Sequence, residues 1–551
     1  MRRQLSRLTF RVLIGIAAAM ASCAPLRAQE PAPVRETEPE PARVSTEGRG
    51  ESPATQPYRA SVYLPLSDPA YPILGYWVAA GRIRSLSPFV KPYRRIEVAR
   101  ALTELDETGL GGGEAAWLAR LRESFAMELG WLAHPEEGSA GASIELGVGA
   151  GYHSQTHRDV LRPALDGRFA HDQLLEDVRV EADGQADVLA GAFRMWREGM
   201  YRHDAQYPDG QVTERREALF FDDLSTRIEE GYLEVQTRYA RLGFGRMYRE
   251  WGLPGLPGFQ RSAYAYSQEE ISYRVGTDRV FLTGVFASYP DFGADTTHYV
   301  AMHRLEIRPV DDLVIGLAES SVHGGPGEGV NLSIVNPISI WQVSGKEGDT
   351  PYNKVGVLDA WWRAADWITL YGSLLTDATN REGSCCQMGG SLGLELPRLV
   401  RGWVLRANAS ALQSLAYRTF LPWEEYSVEN IGLGWDKVDL YLLSLEADGF
   451  PKAGLWIRPR VDLQVRGEGD FRELRPDPVP PGFPTILVGQ KELTLRPSIA
   501  GAWRAGTDFP VELEWDLGVS FIRDYRNVPG DDRTDFVGSV GLLLRTPRWT
   551  F

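Results

Sequence analysis

The chain has 551 residues, of which 43% are hydrophobic and 11% aromatic, and it carries a formal net charge of −15 at pH 7. This length exceeds that of a usual single domain, so one large closed architecture or several domains are expected. Without residues 1–28, which hold five arginines and no acidic residue, the charge becomes −20. So acidic a chain argues against nucleic acid as a partner and against attachment to anionic lipid through a basic patch. No run of about eighteen apolar residues follows residue 30, which excludes transmembrane helices there, and the slightly negative mean hydropathy is also typical of β-barrels.

The first 28 residues have the pattern of an export signal. Four arginines precede or flank an apolar core, Val12–Ala21, that is too short to span a bilayer. Two cleavage sites fit the sequence. Cleavage after Ala28 suits an ordinary signal peptidase and is favoured, whereas the run that ends at Cys23 resembles a lipobox and would make that cysteine a lipidated N-terminus. Residues 29–57 are rich in Pro, Glu, Thr and Arg without an apolar face, and are predicted to be a disordered linker.

Residues 58–140 show the periodicity of helices. Asp68–Pro69 is typical of a helix start and Gly81 of a helix end. A second helix follows, and a third is predicted from about Glu114 to Leu132, with apolar residues at steps of four. The three stripes predict a small periplasmic helical bundle. Its outline resembles the S-layer-homology modules that hold cell-wall polymer, so contact with the cell wall or another periplasmic component is one interpretation, although a plain plug or docking bundle fits better.

From Ala142 onward the apolar period changes to two and stays there. Segments of about ten residues alternate apolar and polar side chains, which is the length of a tilted strand that crosses a bilayer. Short hairpins, as in Leu305–Leu317 and Trp361–Tyr371, alternate with long connections rich in Gly, Pro and charge, and the chain ends on Phe551 as outer-membrane barrels do. We therefore predict an all-β membrane protein of the bacterial outer membrane, a large antiparallel outer-membrane β-barrel of about 16–18 strands over residues 141–551, in contact with outer-membrane lipid. A soluble β-sandwich is the alternative.

The stretch Leu242–Phe259 is unusually dense in special residues. Five glycines and two prolines fix a loop backbone that ordinary residues would find strained. Its side chains are of the types that bind carbohydrate, since Trp and Tyr faces stack on sugar rings while Arg and Glu hydrogen-bond to hydroxyls. The predicted polysaccharide-binding residues are Arg246, Tyr248, Arg249, Glu250 and Trp251. The competing interpretation is structural: Arg246 and Glu250 pair inside the lumen to fold the loop, and Trp251 packs in a girdle or plug.

This stretch resembles the strand-and-loop signature of the capsule assembly Wzi family, in which a glycine-arginine strand end precedes a tryptophan-glycine-proline loop. A second stretch is similar to the family in joining an Asn-Pro segment, an Asn…Asp strand and a Tyr-Gly strand that ends in Asp. The matching residues are Gly245, Gly252, Pro254 and Gly255 in the first stretch and Asn336, Pro337, Asn353, Asp359, Tyr371, Gly372 and Asp377 in the second. The resemblance spans about residues 58–551, but after Pro254 the Ser- and Asn-rich run that is usual in the family is replaced by Gly258–Tyr264.

The resemblance implies a barrel of about eighteen strands with a small periplasmic helical bundle. It implies a lectin-like protein that helps to anchor or assemble capsular or extracellular polysaccharide at the cell surface, with no catalysis. A porin or polysaccharide-export channel is the alternative. The two differ in the lumen, because a channel keeps an open aqueous path and an anchoring protein is expected to be plugged by inward loops.

No motif in the sequence indicates catalysis, a cofactor or a metal. Acyl hydrolysis on a barrel needs His and Ser on neighbouring strands with an orienting partner, and a pair such as His303 and Ser320 occurs by chance in a chain of this kind. His153 and His157 lie four apart without an accompanying carboxylate, which does not predict a metal site. We therefore expect no enzymatic activity, no cofactor and no metal. The adjacent Cys385–Cys386 pair leaves a vicinal disulfide and two free thiols equally open.

Overall fold

The computed structural model describes residues 58–134, 140–155, 173–198, 218–221, 224–263, 265, 267–292, 295–330, 353–378, 387–428, 431–506 and 510–551. The predicted signal peptide and linker lie outside these residues, as do His157, Asn336, Pro337 and all three cysteines. The contacts of Pro57–Phe551 group that part of the chain into a single unit.

Four α-helices precede the barrel in the described part of the chain. They are α1 (Ala70–Ala79), α2 (Arg95–Thr103), α3 (Gly112–Ser124) and α4 (Ala126–Ala133). At the start of α1 the Asp68 carboxylate accepts a hydrogen bond from the Ala70 amide at 2.8 Å, and Gly81 follows the helix with φ +71°, a conformation that favours glycine. The third predicted helix is interrupted, because at Phe125 the backbone (φ −111°, ψ 21°) leaves the helical region and separates α3 from α4. None of these helices is long and apolar enough to cross a membrane.

The strands that follow close into a barrel. They are β1 (Val90–Lys91), β2 (Gly141–Gln155), β3 (Gln173–Ala186), β4 (Leu189–Glu198), β5 (Ala218–Phe221), β6 (Leu224–Gln236), β7 (Ala240–Met247), β8 (Glu250–Trp251), β9 (Gln268–Gly276), β10 (Val280–Phe292), β11 (Asp295–Val310), β12 (Leu313–Gly325), β13 (Asn353–Ala365), β14 (Ile368–Ala378), β15 (Gln387–Val400), β16 (Trp403–Leu412), β17 (Ser427–Val428), β18 (Ile431–Gly432), β19 (Leu440–Lys452), β20 (Leu455–Arg466), β21 (Glu492–Ala505), β22 (Val511–Arg523), β23 (Arg533–Arg545) and β24 (Trp549–Thr550). Among the described residues, eighteen strands (β2–β4, β6, β7, β9–β16 and β19–β23) pair antiparallel around the closed barrel. The predicted fold class is confirmed, with the strand number at the upper end of the expected range.

Short turns lie at one end of the barrel and long connections at the other. As predicted, β11 and β12 are joined by a hairpin at Val310–Leu313, and β13 and β14 by one at Ala365–Ile368. The barrel closes where β2 pairs with β23. The last residue belongs to this seam, since the amides of Ala142 and Phe551 each donate to the other's carbonyl oxygen, at 3.1 and 2.9 Å. The short-turn end is the one that faces the periplasm in outer-membrane barrels.

The outer face of the barrel is apolar. On β7, for example, Leu242 and Phe244 point outward and are 58% and 67% exposed, while Arg241 between the strands' inner faces is buried. Outward-facing residues of the same kind occur all round the barrel: Ile144, Val148, Leu233, Ile271, Leu358, Leu392, Leu445, Val461, Ile499, Leu542 and Leu544. A continuous apolar face of this kind is stable in hydrocarbon rather than in water.

The inner face is divided into an apolar half and a polar half. On β10–β14 the inward side chains belong to one apolar cluster with the helices: Val285, Ala287, Val300, Met302, Val314, Ala318, Val322, Val355 and Val357. On β20–β23 and β2–β4 many inward side chains are charged, as at Arg458, Glu512, Arg545 and Glu181. Because apolar surface is stabilised by removal from water, the segments that fill the lumen pack against the apolar half.

The helical segment, residues 58–134, packs against the short-turn end. Its side chains and backbone form hydrogen bonds of 2.9–3.2 Å with residues at or beside five short turns. The bonds join Trp117 to Leu455, Arg120 to Arg504, Leu110 to Arg401, Leu86 to Arg308 and Ala60 to Asp187. The helices also share the apolar cluster of the barrel wall, so the division at residue 140 into separate domains stays a prediction.

Candidate functional site in the barrel lumen

The connection between β7 and β9 folds back into the barrel. We call residues Tyr248–Ser262 the inward loop. Its strand β8 pairs with β1 of the helical segment, so that Trp251 lies opposite Val90. The next amide, that of Gly252, donates a hydrogen bond to the carbonyl oxygen of Phe89 at 3.2 Å. The inward loop therefore starts at the long-loop end and reaches the segment that closes the short-turn end.

The tip of the inward loop is held by the barrel wall. The carbonyl oxygen of Pro254 accepts hydrogen bonds from Tyr371 Oη and Asn408 Nδ2, both at 3.3 Å. Gly255 has φ +75°, and a Cβ there would stand 2.5 Å from a carboxylate oxygen of Glu446. Both the backbone conformation and the close approach to the wall therefore require glycine at the tip.

A second connection covers the inward loop from the long-loop end. We call residues 413–439, between β16 and β19, the upper loop. Three of its side chains donate hydrogen bonds of 2.7–2.9 Å to carbonyl oxygens of the inward loop: Tyr417 Oη to Phe259, Tyr426 Oη to Gln260 and Trp435 Nε1 to Pro257. The rings of Tyr417 and Tyr426 also stack, with centroids 5.2 Å apart. The two loops thus form one packed layer inside the barrel.

The predicted polysaccharide-binding residues do not share one exposed surface. Arg246 lies on the outer face of β7, where its Nε is 3.0 Å from a carboxylate oxygen of Glu269. Arg249 is buried, and its Nε is 2.6 Å from Oε1 of Glu270. Trp251 is 1% exposed and packs in the apolar cluster. The structure therefore places one of these residues outside the barrel and two in its packed interior.

Glu250 folds the inward loop. Its Oε1 accepts a hydrogen bond from the Gly258 amide at 2.7 Å, and its Oε2 accepts one from the Ala263 amide at 2.9 Å. The expected lumenal pairing of Glu250 with Arg246 is wrong, because the two side chains lie on opposite sides of the barrel wall. Tyr248 is half-buried at the start of the loop. A role of these five residues in polysaccharide binding stays a prediction, and the contacts observed are those that hold the loop.

The burial of Glu250 makes the inward loop sensitive to pH. Burial raises the pKa of Glu250 to about 7, and the hydrogen bond from Ala263, the charge of Lys91 and the hydrogen bond from Gly258 offset this only in part. A carboxyl group whose pKa is raised by folding contributes most stability below its ordinary pKa of about 4.5, and this contribution is lost as the pH rises through about 7.

We therefore expect hydrogen-exchange protection of the Gly258 and Ala263 amides to fall between about pH 5 and 7.5, after correction for intrinsic exchange. The Glu250→Gln variant, which cannot ionise, should show flat protection over the same interval. Equal pH dependence in both proteins would contradict the assignment to Glu250.

The family-motif residues of β13 and β14 hold the upper loop. Asn353 Nδ2 donates hydrogen bonds to the carbonyl oxygens of Tyr417 and Glu424, both at 3.1 Å. The Asp377 carboxylate accepts a hydrogen bond from the Tyr417 amide at 2.7 Å. With Tyr371 bound to the tip of the inward loop, the two stretches that carry the family resemblance meet in the lumen.

Other motif residues set the backbone or carry charge. Gly245 has φ +130°, and a Cβ there would stand 2.1 Å from the carbonyl oxygen of Gly231 on the neighbouring strand. A Cβ at Gly372 would also crowd the neighbouring strand. Asp359 pairs with the buried Arg304, with Oδ2 and Nη1 2.6 Å apart. These positions serve the barrel wall rather than a surface for ligand.

Three cavities remain between the filling segments and the polar half of the wall. We call them the lumenal cavity (about 840 Å³), the mouth cavity at the short-turn end (about 510 Å³) and the side cavity next to β3, β4 and β6 (about 290 Å³). Ser67, in the turn before α1, lines all three and is exposed although it lies between the helical segment and the wall. The sequence analysis missed these cavities. The signal that could have located them is that β10–β14 are apolar on both faces while β20–β23 alternate apolar with charged residues.

A closed eighteen-stranded antiparallel barrel with an apolar outer face and short turns at one end is an outer-membrane β-barrel. Among solved structures the chain is similar to Wzi of Escherichia coli, an outer membrane protein involved in group 1 capsule assembly and a carbohydrate-binding β-barrel. The TM-score is 0.59 at 13% identity, over 88% of this chain and 99% of that chain. OprD of Pseudomonas aeruginosa (TM-score 0.42, 11% identity, 73% of this chain and 95% of that chain) and OccAB2 of Acinetobacter baumannii (0.42, 10%, 74% and 98%) are less similar. No family model and no curated protein matches the sequence.

The likeness to Wzi confirms, at the level of the fold, the resemblance inferred from the sequence motifs.

Proposed function

We propose that this protein is a lectin-like outer-membrane barrel that helps to anchor or assemble capsular or extracellular polysaccharide at the cell surface, without catalysing a reaction. The observation that carries the proposal is the filled lumen. The helical segment closes the short-turn end, and the inward and upper loops occupy the interior above it. A filled barrel suits a protein that presents a fixed surface to a polymer. The carbohydrate binding stated for Wzi, whose fold this chain shares, supports the same proposal.

A porin or polysaccharide-export channel is the second candidate. The observation that favours it is the row of three cavities along the polar half of the wall. These cavities are much smaller than the open lumen of a barrel of this size, and the turn that contains Ser67 stands between them. The anchoring function therefore accounts for more of the structure.

The proposal is tested by the retention of polysaccharide on cells. Cells that lack the protein should release more of their own extracellular polysaccharide into the medium than cells that carry the wild-type gene, measured as the ratio of released to cell-bound polymer. Equal release by both would overturn the anchoring function.

The contribution of the inward loop is tested by the double variant Arg249→Ala with Trp251→Ala. If the loop shapes the surface that holds the polymer, this variant should insert into the outer membrane and yet release polysaccharide as the deletion strain does. Arg246→Ala, on the outer face of the barrel, is the matched control and should retain the polymer. Normal retention by a folded double variant would leave the loop with a structural role alone.

A further inference from the structure

The lumenal cavity has the size and lining of a small-molecule site. Its volume of about 840 Å³ lies within the roughly 300–1,000 Å³ of typical ligand pockets. The aromatic side chains of Tyr71, on α1, and Trp456, on β20, are half-exposed at its border. Charged side chains of β16, β19, β20 and β22 line the opposite wall. This combination of aromatic rings with carboxylates and guanidinium groups suits ligands that have both apolar faces and hydroxyl groups.

The charges that line the cavity largely cancel one another. Arg458 Nε lies 2.6 Å from Oδ1 of Asp448, and Asp448 Oδ2 lies 2.9 Å from Arg406 Nη1. Glu512 Oε2 lies 2.6 Å from Arg504 Nη2. A lining of paired charges produces little net field, so it attracts neither anions nor cations strongly. The ligand class that fits is therefore neutral and rich in hydroxyl groups.

Two polar groups of the lining are placed to bind such a ligand. Glu514, on the inward face of β22, is half-exposed and lines the cavity. Trp361, on β13, is 3% exposed and also lines the cavity, and its indole N–H has no hydrogen-bond partner among the described residues. A buried donor without a partner is costly, so an acceptor oxygen placed there is stabilising.

A single turn stands at the entrance to the lumenal cavity. In the turn Pro65–Asp68, the Asp68 amide donates a hydrogen bond to the Pro65 carbonyl oxygen at 3.0 Å. Ser67 at its tip lies between the lumenal cavity, the mouth cavity at the short-turn end and the side cavity. A ligand from the short-turn end would therefore enter the lumenal cavity past Ser67.

We propose that the lumenal cavity binds a short neutral oligosaccharide. Trp456 and Tyr71 lie beside the sugar rings, Glu514 accepts hydrogen bonds from hydroxyl groups, and Trp361 Nε1 donates one to a ligand oxygen. The inference rests on the proposed function, which supplies the sugar. It concerns a separate site inside the barrel, and it can fail while the anchoring function holds.

Direct binding tests the proposal with the folded full-length protein in detergent. The probe is the neutral fraction of short fragments, about two to four sugar units long, from partial acid hydrolysis of the host's own extracellular polysaccharide, labelled with a fluorophore and followed by anisotropy. The wild type should bind saturably. Glu514→Gln and Trp456→Ala should each weaken binding about tenfold or more. Asp366→Asn, in an exposed short turn, is the control and should bind as the wild type does.

Protection of a cysteine at the entrance gives an independent readout. In a protein whose three native cysteines are replaced by serine, Ser67→Cys should react with a polar thiol reagent, and the same neutral fragments should slow this reaction. If cells retain their polymer but the fragments neither bind nor protect Cys-labelled protein, the lumenal site is overturned and the anchoring function stands. If the fragments bind and protect but deletion of the gene leaves polymer retention unchanged, the anchoring function falls and the sugar site stands.

Discussion

Replacement of Gly252–Gln260 by a short Gly-Ser linker should turn a barrel without steady conductance in planar bilayers into one that passes small ions continuously. The inward loop contacts the barrel wall through Pro254, the upper loop through Phe259 and the helical segment through β8. Without it, these three parts lose the layer that joins them, and water can enter beside the polar half of the wall. Single-channel recording of the purified proteins measures the change.

The control for this experiment is the same linker in place of residues 477–482, a mostly exposed part of the connection between β20 and β21. That variant should stay closed. If the variant without the inward loop folds and remains closed as well, the helical segment alone seals the barrel. Large, stable channels in the wild type would contradict the anchoring function and favour the porin.

The exchange Asp359→Ala should lower the free energy of unfolding by about 3–5 kcal/mol, because it leaves a buried guanidinium without its counter-ion. Arg304 is fully buried, and its Nη1 is 2.6 Å from Asp359 Oδ2. A Cβ at Gly316 would stand 2.3 Å from Arg304 Nη2, so the side chain has little freedom to reach water. Urea unfolding in detergent micelles, followed by tryptophan fluorescence, measures the effect.

The double variant Arg304→Met with Asp359→Leu separates the loss of the pair from the burial of an unpaired charge. It should cost less than Asp359→Ala, since both charges are removed and apolar volume is restored. Asp366→Ala breaks an exposed pair with Arg398 and should change the unfolding free energy little. A double variant as unstable as the single one would show that the packing of this site, rather than its charge, sets the stability.

The barrel could be predicted from the sequence because its signal is local. A period of two over about ten residues needs no knowledge of distant parts of the chain, and neither do the hairpins at Val310–Leu313 and Ala365–Ile368. The start of α1 at Asp68–Pro69 was likewise readable from capping chemistry. The break at Phe125 was not, because the apolar spacing continues across it.

The arrangement of the lumen could not be predicted in the same way. Its contacts join residues far apart in sequence, such as Pro254 with Tyr371 and Phe259 with Tyr417. Many of the acceptors are backbone carbonyl oxygens, which every residue has and which leave no mark in the sequence. Residue types gave the right loop but not its direction, so Arg246 was expected in the lumen and lies outside it.

The apolar inner wall on β10–β14 imposes an order on assembly. An empty cylinder would line half of its interior with valine and methionine against water, so it is not a stable intermediate. The helical segment and the inward loop must therefore be seated while the sheet is still open. The seam between β2 and β23 lies in the polar half, where water can remain, and it joins strands from the two ends of the barrel sequence. We expect the sheet to wrap around its contents and to close last at that seam.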